Sequence, residues 1–538
     1  MNMAKNVLFI MCDQLRFDYL GCAGHPFLKT PNIDALAARG VRFDKAYVQS
    51  PICGPSRMST YTGRYVRSHG ATWNNFPLRV GEMTMGDHLE PLGVRTALCG
   101  KTHMTADIDG MRRLGIDPKS DKGRRIAECG FEVWDRLDGL HPTGGKVPSH
   151  YNDYLRARGY DVENPWEDAA NSAEDAEGNI LSGWLYENAD KPARVAEEHS
   201  ETPYSTTRAM EFIENAGEQS WCLHLSYIKP HWPYIVPAPY HDMYGPEHVL
   251  PAVRSEAERA DAHPVLAAYF EHRFSQVFTR DEVRNRVIPA YMGLIAQIDA
   301  QIGRLMAWLD KRDITKDTLI VFTSDHGDYL GDHWLGEKEL FHDASARVPM
   351  IVVDPSAEAD GTRGQVLDDL VESIDLLPTF VDWFGGETSP HILEGRSLLP
   401  LVRAEQPDWR EVAISEYDYS MRRARQILNH PVSDCRLVMV FDGRWKYIHA
   451  EGFRPMLYDL ATDPQELIDL GDAPEHEGQR QRLEAHLNRW ARGHHTRVTV
   501  PDKRITGRKG GELSKSVIIG FWNTAELEEA LERGASGN

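Results

Sequence analysis

A single cysteine, Cys53, lies where the sequence predicts the mouth of a short helix. Pro55 suits the first turn of that helix, and Gly63 suits the position just beyond its last turn. Backbone N–H groups and the helix dipole at such a mouth favour an anion. Arg57 adds a positive charge, and a polar, Arg-flanked position of this kind lowers the pKa of a thiol. The pattern therefore predicts a nucleophile at Cys53, although most lone cysteines are inert small hydrophobic residues.

Two carboxylates and an imidazole follow two predicted strands. Asp13 ends the first apolar run of the chain, and Asp325 and His326 follow the run Thr318–Phe322. Ligands of open parallel sheets gather beyond the carboxyl ends of the strands, so these side chains can converge despite their separation in sequence. Two carboxylates and one imidazole favour a hard divalent cation. Taken alone, Asp325 and His326 also suit a turn or a helix cap.

Several segments of the chain resemble one enzyme family in their order and spacing. The segment Pro51–Arg64 resembles the sulfatase signature, in which C-x-P-S/A-R is followed by T-G-R. The other similar segments are Gly100–His103 for the family's G-K-x-H, Lys229–Pro233 for its P-H-x-P, and Gly336–Lys338 with Ala346–Pro349 for its G-x-K…R-V-P. Side chains alternate along a strand, which predicts that Lys101 and His103 project from one extended face. The resemblance implies an alkaline-phosphatase-like α/β fold and a sulfatase activity.

The resemblance also implies a mechanism. A formylglycine-generating enzyme would oxidise Cys53 to Cα-formylglycine, and one hydroxyl of its hydrated form would attack sulfur. His231 would protonate the departing alkoxide or phenoxide. His103, supported by Lys101, would deprotonate the second hydroxyl and so expel sulfate. The positive side chains that would neutralise the sulfate oxygens are Arg57, Lys101 and Lys338.

One divalent metal ion is implied as well. Asp13, Asp325 and His326, with an oxygen of the modified Cys53, would bind Ca²⁺ or Mn²⁺, with Mg²⁺ or Zn²⁺ as alternatives. Many sulfatases carry a second Asp where this chain has Gln14, and Asn where it has His326. The combination is more similar to the choline-sulfatase and phosphonate monoester hydrolase branches. We therefore leave Gln14 outside the predicted ligand set.

The sequence predicts hydrolysis of sulfate monoesters of aryl or small alkyl alcohols. Asn74 is a candidate donor to a substrate oxygen, although Asn is equally common in loops. The alternative is a phosphonate monoester or phosphodiester hydrolase with the same nucleophile, against which Lys101 and His103 favour sulfate. Two further classes stay open: a thiol enzyme that uses Cys53 unmodified, and a binding module without turnover.

Composition restricts the partners of the chain. Its 538 residues carry a formal net charge of −21 without a basic stripe, which argues against nucleic acid and anionic membranes as partners. No apolar run approaches the ~20 residues needed to span a bilayer. The seven cysteines are odd in number and lie mostly in apolar runs, and the first residues resemble a strand more than a secretory signal. We expect a cytoplasmic protein, with export to the periplasm as the open alternative.

The order of apolar runs predicts three parts. Residues 1–390 alternate strand patterns, such as Met350–Val353, with helix patterns, such as Ala290–Lys311. This alternation predicts a catalytic α/β domain with a large, mostly parallel sheet flanked by helices. Residues 391–500 carry short alternating runs, which predict a smaller α+β subdomain with an antiparallel sheet and a helix over 475–492. Residues 501–538 form a tail whose apolar cluster Ser516–Trp522 predicts an oligomerisation arm, and hence a dimer or tetramer.

Overall fold

An eight-stranded sheet forms the centre of the computed structural model, which describes residues 5–141, 149–506 and 518–535. Its strands are β1 (Asn6–Asp13), β2 (Val41–Tyr47), β3 (Arg95–Gly100), β4 (Glu132–Arg136), β7 (Trp221–Pro230), β8 (Thr318–Ser324), β9 (Met350–Val353) and β10 (Val366–Glu372). A short pair, β5 (Ser172–Glu174) and β6 (Ile180–Ser182), forms a separate sheet. The strand order is β10-β2-β9-β8-β1-β7-β3-β4, and only β9 runs antiparallel to its neighbours.

The central strand β1 is buried along its whole length. Its side chains alternate between two hydrophobic clusters, because successive residues of a strand point to opposite faces. Leu8 and Ile10 belong to one cluster, and Val7 and Phe9 belong to the other. Helices must therefore cover both faces of the sheet, as its apolar strands predict.

Most helices in the described residues are short, and α12 with its 31 residues is the longest. Their bounds are α1 (Pro31–Arg39), α2 (Cys53–Thr62), α3 (Val66–His69), α4 (Met85–Leu89), α5 (Ile108–Arg113), α6 (Asp121–Ala127), α7 (His150–Arg156), α8 (Glu201–Ala216), α9 (Glu256–Ala260), α10 (Pro264–Phe270), α11 (Arg273–Phe278), α12 (Asp281–Lys311), α13 (Asp343–Ala346), α14 (Leu376–Trp383), α15 (Leu399–Val402), α16 (Arg423–Ile427), α17 (Glu477–Ala491), α18 (Asp502–Thr506) and α19 (Thr524–Ala535). Helix α12 starts earlier than the predicted Ala290, because the chain continues helically through Pro289. None of the helices in the described residues is long and apolar enough to cross a membrane.

A second sheet follows the first along the chain and is antiparallel. Its strands are β11 (Ala413–Asp418), β12 (Arg436–Phe441), β13 (Trp445–Ala450) and β14 (Met456–Asp459), in that order. Helix α17 packs on β12 and β13 through Leu483 and Leu487. The predicted fold class is therefore confirmed: a large, mostly parallel sheet flanked by helices, followed by a smaller antiparallel sheet.

Both sheets belong to one compact unit, which comprises the described residues up to Thr388 and Leu393–Gly493. A second unit comprises Ser389–Ile392 and the described residues from His494 onward. The division into three parts at residues 390 and 500 stays a prediction. Of the predicted apolar tail cluster, Ser516 and Val517 lie outside the described residues, whereas Ile519 and Trp522 are each 86% exposed.

Several strands were not predicted from the sequence. Four strands of the large sheet, β2, β3, β4 and β10, were not predicted. Charged residues interrupt β2, β4 and β10, whereas β3 is a short run whose one charged residue, Arg95, is its first. The strand Met350–Val353 was predicted, but it is the antiparallel member of the sheet. A four-residue apolar run indicates burial and carries no information about direction, because direction depends on the connections.

Candidate active site

Cys53 is the first residue of α2, as the Pro/Gly pattern predicts. Gly63 follows the helix in the left-handed conformation (φ 64°), which a residue without a Cβ adopts at little cost. The thiol is only 1% exposed, so Cys53 is more buried than a position at a helix mouth suggests. It nevertheless belongs to none of the hydrophobic clusters of the described residues, because its neighbours are charged or polar.

Three strand-end residues meet Cys53 in one cluster. Ligand atoms of Asp13, Cys53, Asp325 and His326 all lie within 4.8 Å of one another, and all four residues are buried. His326 Nε2 lies 3.1 Å from Cys53 Sγ and 3.6 Å from Asp325 Oδ1. The strands explain the meeting: β1 and β8 are parallel neighbours with Cys12 opposite Ser324, so the residues after them emerge at one edge.

The donor set of this cluster fits a divalent cation. His326 Nδ1 lies 2.8 Å from the carbonyl oxygen of Gly327 and donates there, so Nε2 faces the cluster and offers its lone pair whenever the ring is neutral. Two carboxylates supply hard oxygen donors, and Cys53 Sγ marks the position where a formylglycine hydroxyl would stand. The four side chains therefore present one nitrogen and otherwise oxygen donors once the sulfur is replaced.

Arg57 lies behind this cluster and is fully buried. Its Nε donates to Asp325 Oδ2 at 2.7 Å, and Nη2 lies 3.4 Å from Asp13 Oδ2. Nη1 donates to the carbonyl oxygen of Lys101 at 2.9 Å and to Ser226 Oγ at 2.8 Å. The guanidinium thus holds both carboxylates in place, and each of its nitrogens has a protein partner.

Lys101 and His103 follow β3 rather than lying in it. The prediction that they share one face of an extended strand is wrong, because β3 ends at Gly100 and His103 adopts φ 54°. Both side chains still reach the site: Lys101 Nζ forms an ion pair with Asp13, and hydrogen bonding from His103 favours the thiolate of Cys53. His103 Nδ1 is buried without a hydrogen-bond partner among the described residues.

Positive charge dominates the surroundings of the thiol. Burial alone raises the pKa of Cys53, but Lys338 and Lys101 outweigh it and hold that pKa well below its ordinary value. Lys338 Nζ lies 3.4 Å from Cys53 Sγ and 3.3 Å from His231 Nε2. Burial lowers the pKa of His231 to about 4, so its ring is neutral near pH 7. The site therefore favours an anion at the position of the thiol.

Asn74 lies next to this cluster and already has a partner. Its Oδ1 accepts a hydrogen bond of 2.7 Å from the backbone N–H of Gly54, the residue after Cys53. The carbonyl side of Asn74 thus satisfies a free donor in the first turn of α2. The amide nitrogen is the part of this side chain that a substrate oxygen could still use.

Three further residues, which were not in the predicted site, form a hydrogen-bonded group that reaches Lys338 through Gln14. Gln14 Oε1 accepts from Lys338 Nζ at 2.9 Å, and Gln14 Nε2 donates to Asp328 Oδ2 at 2.5 Å and to Tyr234 Oη at 3.1 Å. The side chain of Gln14 thus orients the lysine. Asp328 lies two residues after His326, so its place in the polar segment Ser324–Asp328 could have indicated a role in the site. No sequence pattern indicated such a role for Tyr234.

The arrangement suits group transfer from an anionic ester. A buried nucleophile position is surrounded by cations that can neutralise non-bridging oxygens, and two imidazoles lie within reach for proton transfer. A model of the family described as "Sulfatase" matches residues 5–116 and 147–386. The chain belongs to the sulfatase family. A second model, "N-sulphoglucosamine sulphohydrolase, C-terminal", matches residues 331–493.

Individual relatives support this sulfatase assignment along most of the chain. The multifunctional alkaline phosphatase superfamily protein PehA of Trinickia caryophylli is 34% identical over 502 residues, which cover 87% of this chain and 92% of that one. An arylsulfatase of Clostridium perfringens is 28% identical, with 94% and 98% covered. The solved phosphonate monoester hydrolase SpPMH of Silicibacter pomeroyi has a TM-score of 0.78 at 29% identity, with 90% and 95% covered. The predicted resemblance is confirmed, and the family is one of sulfuric ester hydrolases in the alkaline-phosphatase-like superfamily.

Proposed function

We propose that this sulfatase hydrolyses sulfate monoesters of aryl or small alkyl alcohols through a formylglycine formed from Cys53. The observation that carries the proposal is the cationic environment of Cys53 at the mouth of α2, beside the carboxylates of Asp13 and Asp325. A sulfate monoester is an anion that repels nucleophiles, so such a site must offer positive charge before chemistry can start. Maturation requires a formylglycine-generating enzyme as a partner.

The side chains around Cys53 would divide the work. Lys338 and Lys101 bind the sulfate oxygens, because both ammonium groups lie beside the nucleophile position. His231 protonates the leaving oxygen through Nε2 as the imidazolium, because its Nδ1 proton is already donated to the carbonyl oxygen of Trp232 at 2.8 Å. The negative charge of a bound sulfate ester favours this protonated form. His103 accepts the proton of the second hydroxyl of formylglycine 53. That oxygen then becomes the aldehyde oxygen as the bond between the formylglycine carbon and the sulfate oxygen breaks.

Two other predicted residues act by positioning. Arg57 keeps Asp13 and Asp325 in place instead of contacting sulfate, because its nitrogens are already bonded within the protein. Asn74 fixes the first turn of α2 through Gly54 and offers its amide nitrogen to a substrate oxygen.

A divalent cation fits between Asp13, Asp325, His326 and the modified Cys53. When bound, it supplies positive charge to the sulfate and lowers the pKa of a neighbouring hydroxyl. The two carboxylates and the oxygen donor of formylglycine favour Ca²⁺ or Mn²⁺, with Mg²⁺ or Zn²⁺ as alternatives. Arg57 fixes the geometry of this cation site, because its guanidinium pairs with the carboxylates of both Asp13 and Asp325.

A second candidate function is hydrolysis of phosphonate monoesters or phosphodiesters with the same nucleophile. It is supported by SpPMH, a phosphonate monoester hydrolase with a TM-score of 0.78 to this chain. Lys101 and His103 favour sulfate, because they add a cation and a proton acceptor beside the nucleophile. Both functions share Cys53, so they differ only in the group transferred.

One substrate panel separates the two candidates. Matched 4-nitrophenyl esters of sulfate, phenylphosphonate and phenyl phosphate are compared by kcat/KM on protein whose Cys53 has been converted. We expect the sulfate ester to have the highest kcat/KM. A higher value for the phosphonate ester would reverse the order of the candidates. Mass spectrometry of the tryptic peptide 46–57 supplies the control, because conversion replaces sulfur with oxygen and removes two hydrogens.

A further inference from the structure

A buried lysine, Lys229, closes the short segment that carries His231. It lies near the end of β7, and its Nζ donates to the carbonyl oxygen of Pro233 at 3.0 Å, four residues further along the chain. Within the same segment, the backbone N–H of His231 donates to the carbonyl oxygen of Ile228 at 3.1 Å. These two hydrogen bonds fix the backbone on both sides of His231.

The carbonyl group that Lys229 holds is next to the one that orients the imidazole. His231 Nδ1 donates to the carbonyl oxygen of Trp232 at 2.8 Å, and Pro233 is the following residue. Consecutive planar peptide groups share a Cα atom, so a shift of the Pro233 carbonyl would redirect the Trp232 carbonyl as well. The hydrogen bond at Nδ1 in turn sets the direction of Nε2, which lies 3.3 Å from Lys338 Nζ beside the nucleophile.

Two earlier segments of the chain anchor the ammonium group of Lys229. Its Nζ donates to Asn171 Oδ1 at 2.9 Å and pairs with Glu201 Oε2 at 3.5 Å. Both partners are buried, and both are fixed by Trp166. Glu201 Oε1 accepts from Trp166 Nε1 at 2.9 Å, and Asn171 Nδ2 donates to the carbonyl oxygen of Trp166 at 3.1 Å. Lys229 therefore connects the His231 segment to a rigid support.

The charge of Lys229 depends on this support. Burial lowers the pKa of Lys229, and the carboxylate of Glu201 opposes that shift. A buried ammonium group stabilises a structure only where its acceptors are well placed. Here the acceptors are a carboxylate, a side-chain amide and the carbonyl group that follows the His231 segment, so the lysine restrains that segment at a defined distance from its support.

We propose that Lys229 is a positioning residue that directs Nε2 of His231 at the leaving oxygen. It does so by holding the carbonyl group of Pro233 against the anchors Asn171 and Glu201. This assignment rests on the proposed function, because it takes His231 as the acid. In the step concerned, the bond between sulfur and the leaving oxygen breaks, its electron pair stays on that oxygen, and the proton of Nε2 moves there. Lys229 itself contacts no substrate atom.

The test compares two aryl sulfates whose leaving groups need a proton to different extents. Phenolate is a much poorer leaving group than 4-nitrophenolate, so loss of the acid slows phenyl sulfate more. For Lys229→Met with converted Cys53, we expect kcat/KM to fall about a hundredfold with phenyl sulfate and about fivefold with 4-nitrophenyl sulfate. The ratio of the two constants does not depend on the folded fraction of the protein, so a merely structural loss would leave it unchanged.

A double variant tests whether Lys229 acts through His231. We expect His231→Ala to raise the ratio of kcat/KM for 4-nitrophenyl sulfate to that for phenyl sulfate about twentyfold or more. Adding Lys229→Met to His231→Ala should then change this ratio by less than about twofold, because the group that Lys229 positions is gone. Effects on the ratio that multiply in the double variant would overturn the assignment.

Lys446→Met is the matched control for loss of a buried lysine. Lys446 also contacts carboxylates, but its acceptors Phe341, Asp343 and Glu466 lie outside the His231 segment. We expect this variant to change the ratio by less than about twofold, since it leaves the acid in place. A rise in the ratio as large as that of Lys229→Met would overturn the assignment.

Glu201→Gln carries the test if Lys229→Met fails to fold. It keeps an acceptor for Trp166 Nε1 and removes the charge that balances Lys229, and we expect the ratio to rise about threefold. If His231→Ala raises the ratio but Lys229→Met, or Glu201→Gln in its place, does not, the assignment is overturned and the proposed acid stays. If His231→Ala leaves the ratio unchanged, both are rejected.

Turnover of neither sulfate by the converted wild-type protein would reject the proposed function. The phenyl and 4-nitrophenyl esters of phenylphosphonate then carry the same comparison, because His231 faces the leaving oxygen in both candidate functions. A rise in their ratio for Lys229→Met would support the positioning role, and an unchanged ratio would overturn it.

Discussion

Two buried clusters of charge in this chain have opposite construction. One surrounds Lys446 and joins the antiparallel sheet to the large sheet, and the other surrounds Cys53. Lys446 Nζ donates to the carbonyl oxygen of Phe341 at 3.0 Å and to Asp343 Oδ1 at 2.6 Å, and it pairs with Glu466 Oε1 at 2.5 Å. Two carboxylates and one carbonyl oxygen of the protein thus surround that ammonium group.

In the cluster around Cys53, which we call the open cluster, the ammonium group of Lys338 is not paired with a carboxylate as that of Lys446 is in the closed cluster. Lys338 Nζ contacts Gln14 Oε1, the thiol and His231 Nε2, and it forms no ion pair within the described ranges of the chain. Its charge, with that of Lys101, lowers the pKa of the thiol instead. A buried cluster whose charges are matched stabilises a structure, whereas one with surplus positive charge is prepared for an anionic ligand.

Removal of Cys53 tests the chemical side of this comparison and has the largest expected effect. Cys53→Ala should lower kcat by about a thousandfold or more, because the nucleophile is lost. The free energy of unfolding should change by less than about 2 kcal/mol, since the thiol packs against charged groups rather than a hydrophobic cluster. Rates and circular dichroism measure the two effects. Activity within about tenfold of wild type would remove Cys53 from the mechanism.

Neutralising one carboxylate tests whether the open cluster holds a metal ion. Asp13→Asn and Asp325→Asn should each reduce the metal content of the purified protein by about half or more, because a hard cation loses charge compensation. Elemental analysis of the protein is the measurement. Asp354→Asn is the matched control, since that buried carboxylate pairs with Arg403 outside the cluster and should leave metal content unchanged. Full metal content in both test variants would locate the cation elsewhere.

Lys446→Met tests the closed cluster and should affect stability instead of chemistry. The free energy of unfolding should fall by about 3–5 kcal/mol, because Glu466 is left buried without its cation and Asp343 keeps only Arg347. At low temperature, kcat/KM should stay within about threefold of wild type, since the two clusters share no side chain. A loss of activity without a loss of stability would contradict the distinction between the clusters.

For Lys446→Met we also expect the free energy of unfolding to depend less on pH in the acid range. Burial alone would raise the pKa of Asp343, but Lys446 and Arg347 lower it from 3.8 to about 2 in the folded chain. Ionisation of Asp343 thus contributes stability that is fully present above pH 3.8 and is lost as the pH falls toward 2. In Lys446→Met this loss should shrink, which urea unfolding at pH 6 and pH 3 would measure. An unchanged difference between the two pH values would mean that another pair controls acid sensitivity.

Deleting the tail tests whether the function or the stability of either cluster depends on oligomer formation. Of the changes considered, it should affect the two clusters least. Removal of residues 505–538 should convert a dimer or tetramer to monomers, because Ile519 and Trp522 expose apolar surface. Light scattering gives the molar mass. The activity with a sulfate ester and the urea midpoint should both stay within about twofold of the full chain. An unchanged molar mass would reject the oligomerisation role of the tail.

Sequence patterns were informative where residues act locally. The Pro55 and Gly63 signals located α2 with Cys53 as its first residue, and apolar runs located β1 and β8 to within two residues. Strands carrying charged residues, such as β2 and β10, were missed, because partners elsewhere in the chain complete their burial. The alternation argument failed at His103, since one residue with positive φ reverses the direction of a side chain.

The sequence by itself determined the chemistry available to this protein: the residue types around Cys53, their order along the chain, and membership of the sulfatase family. Only the tertiary structure decided what each charge does, because a charge is matched or left over according to its neighbours in space. Arg57 is saturated by protein acceptors, whereas Lys338 is held by Gln14 and faces Cys53.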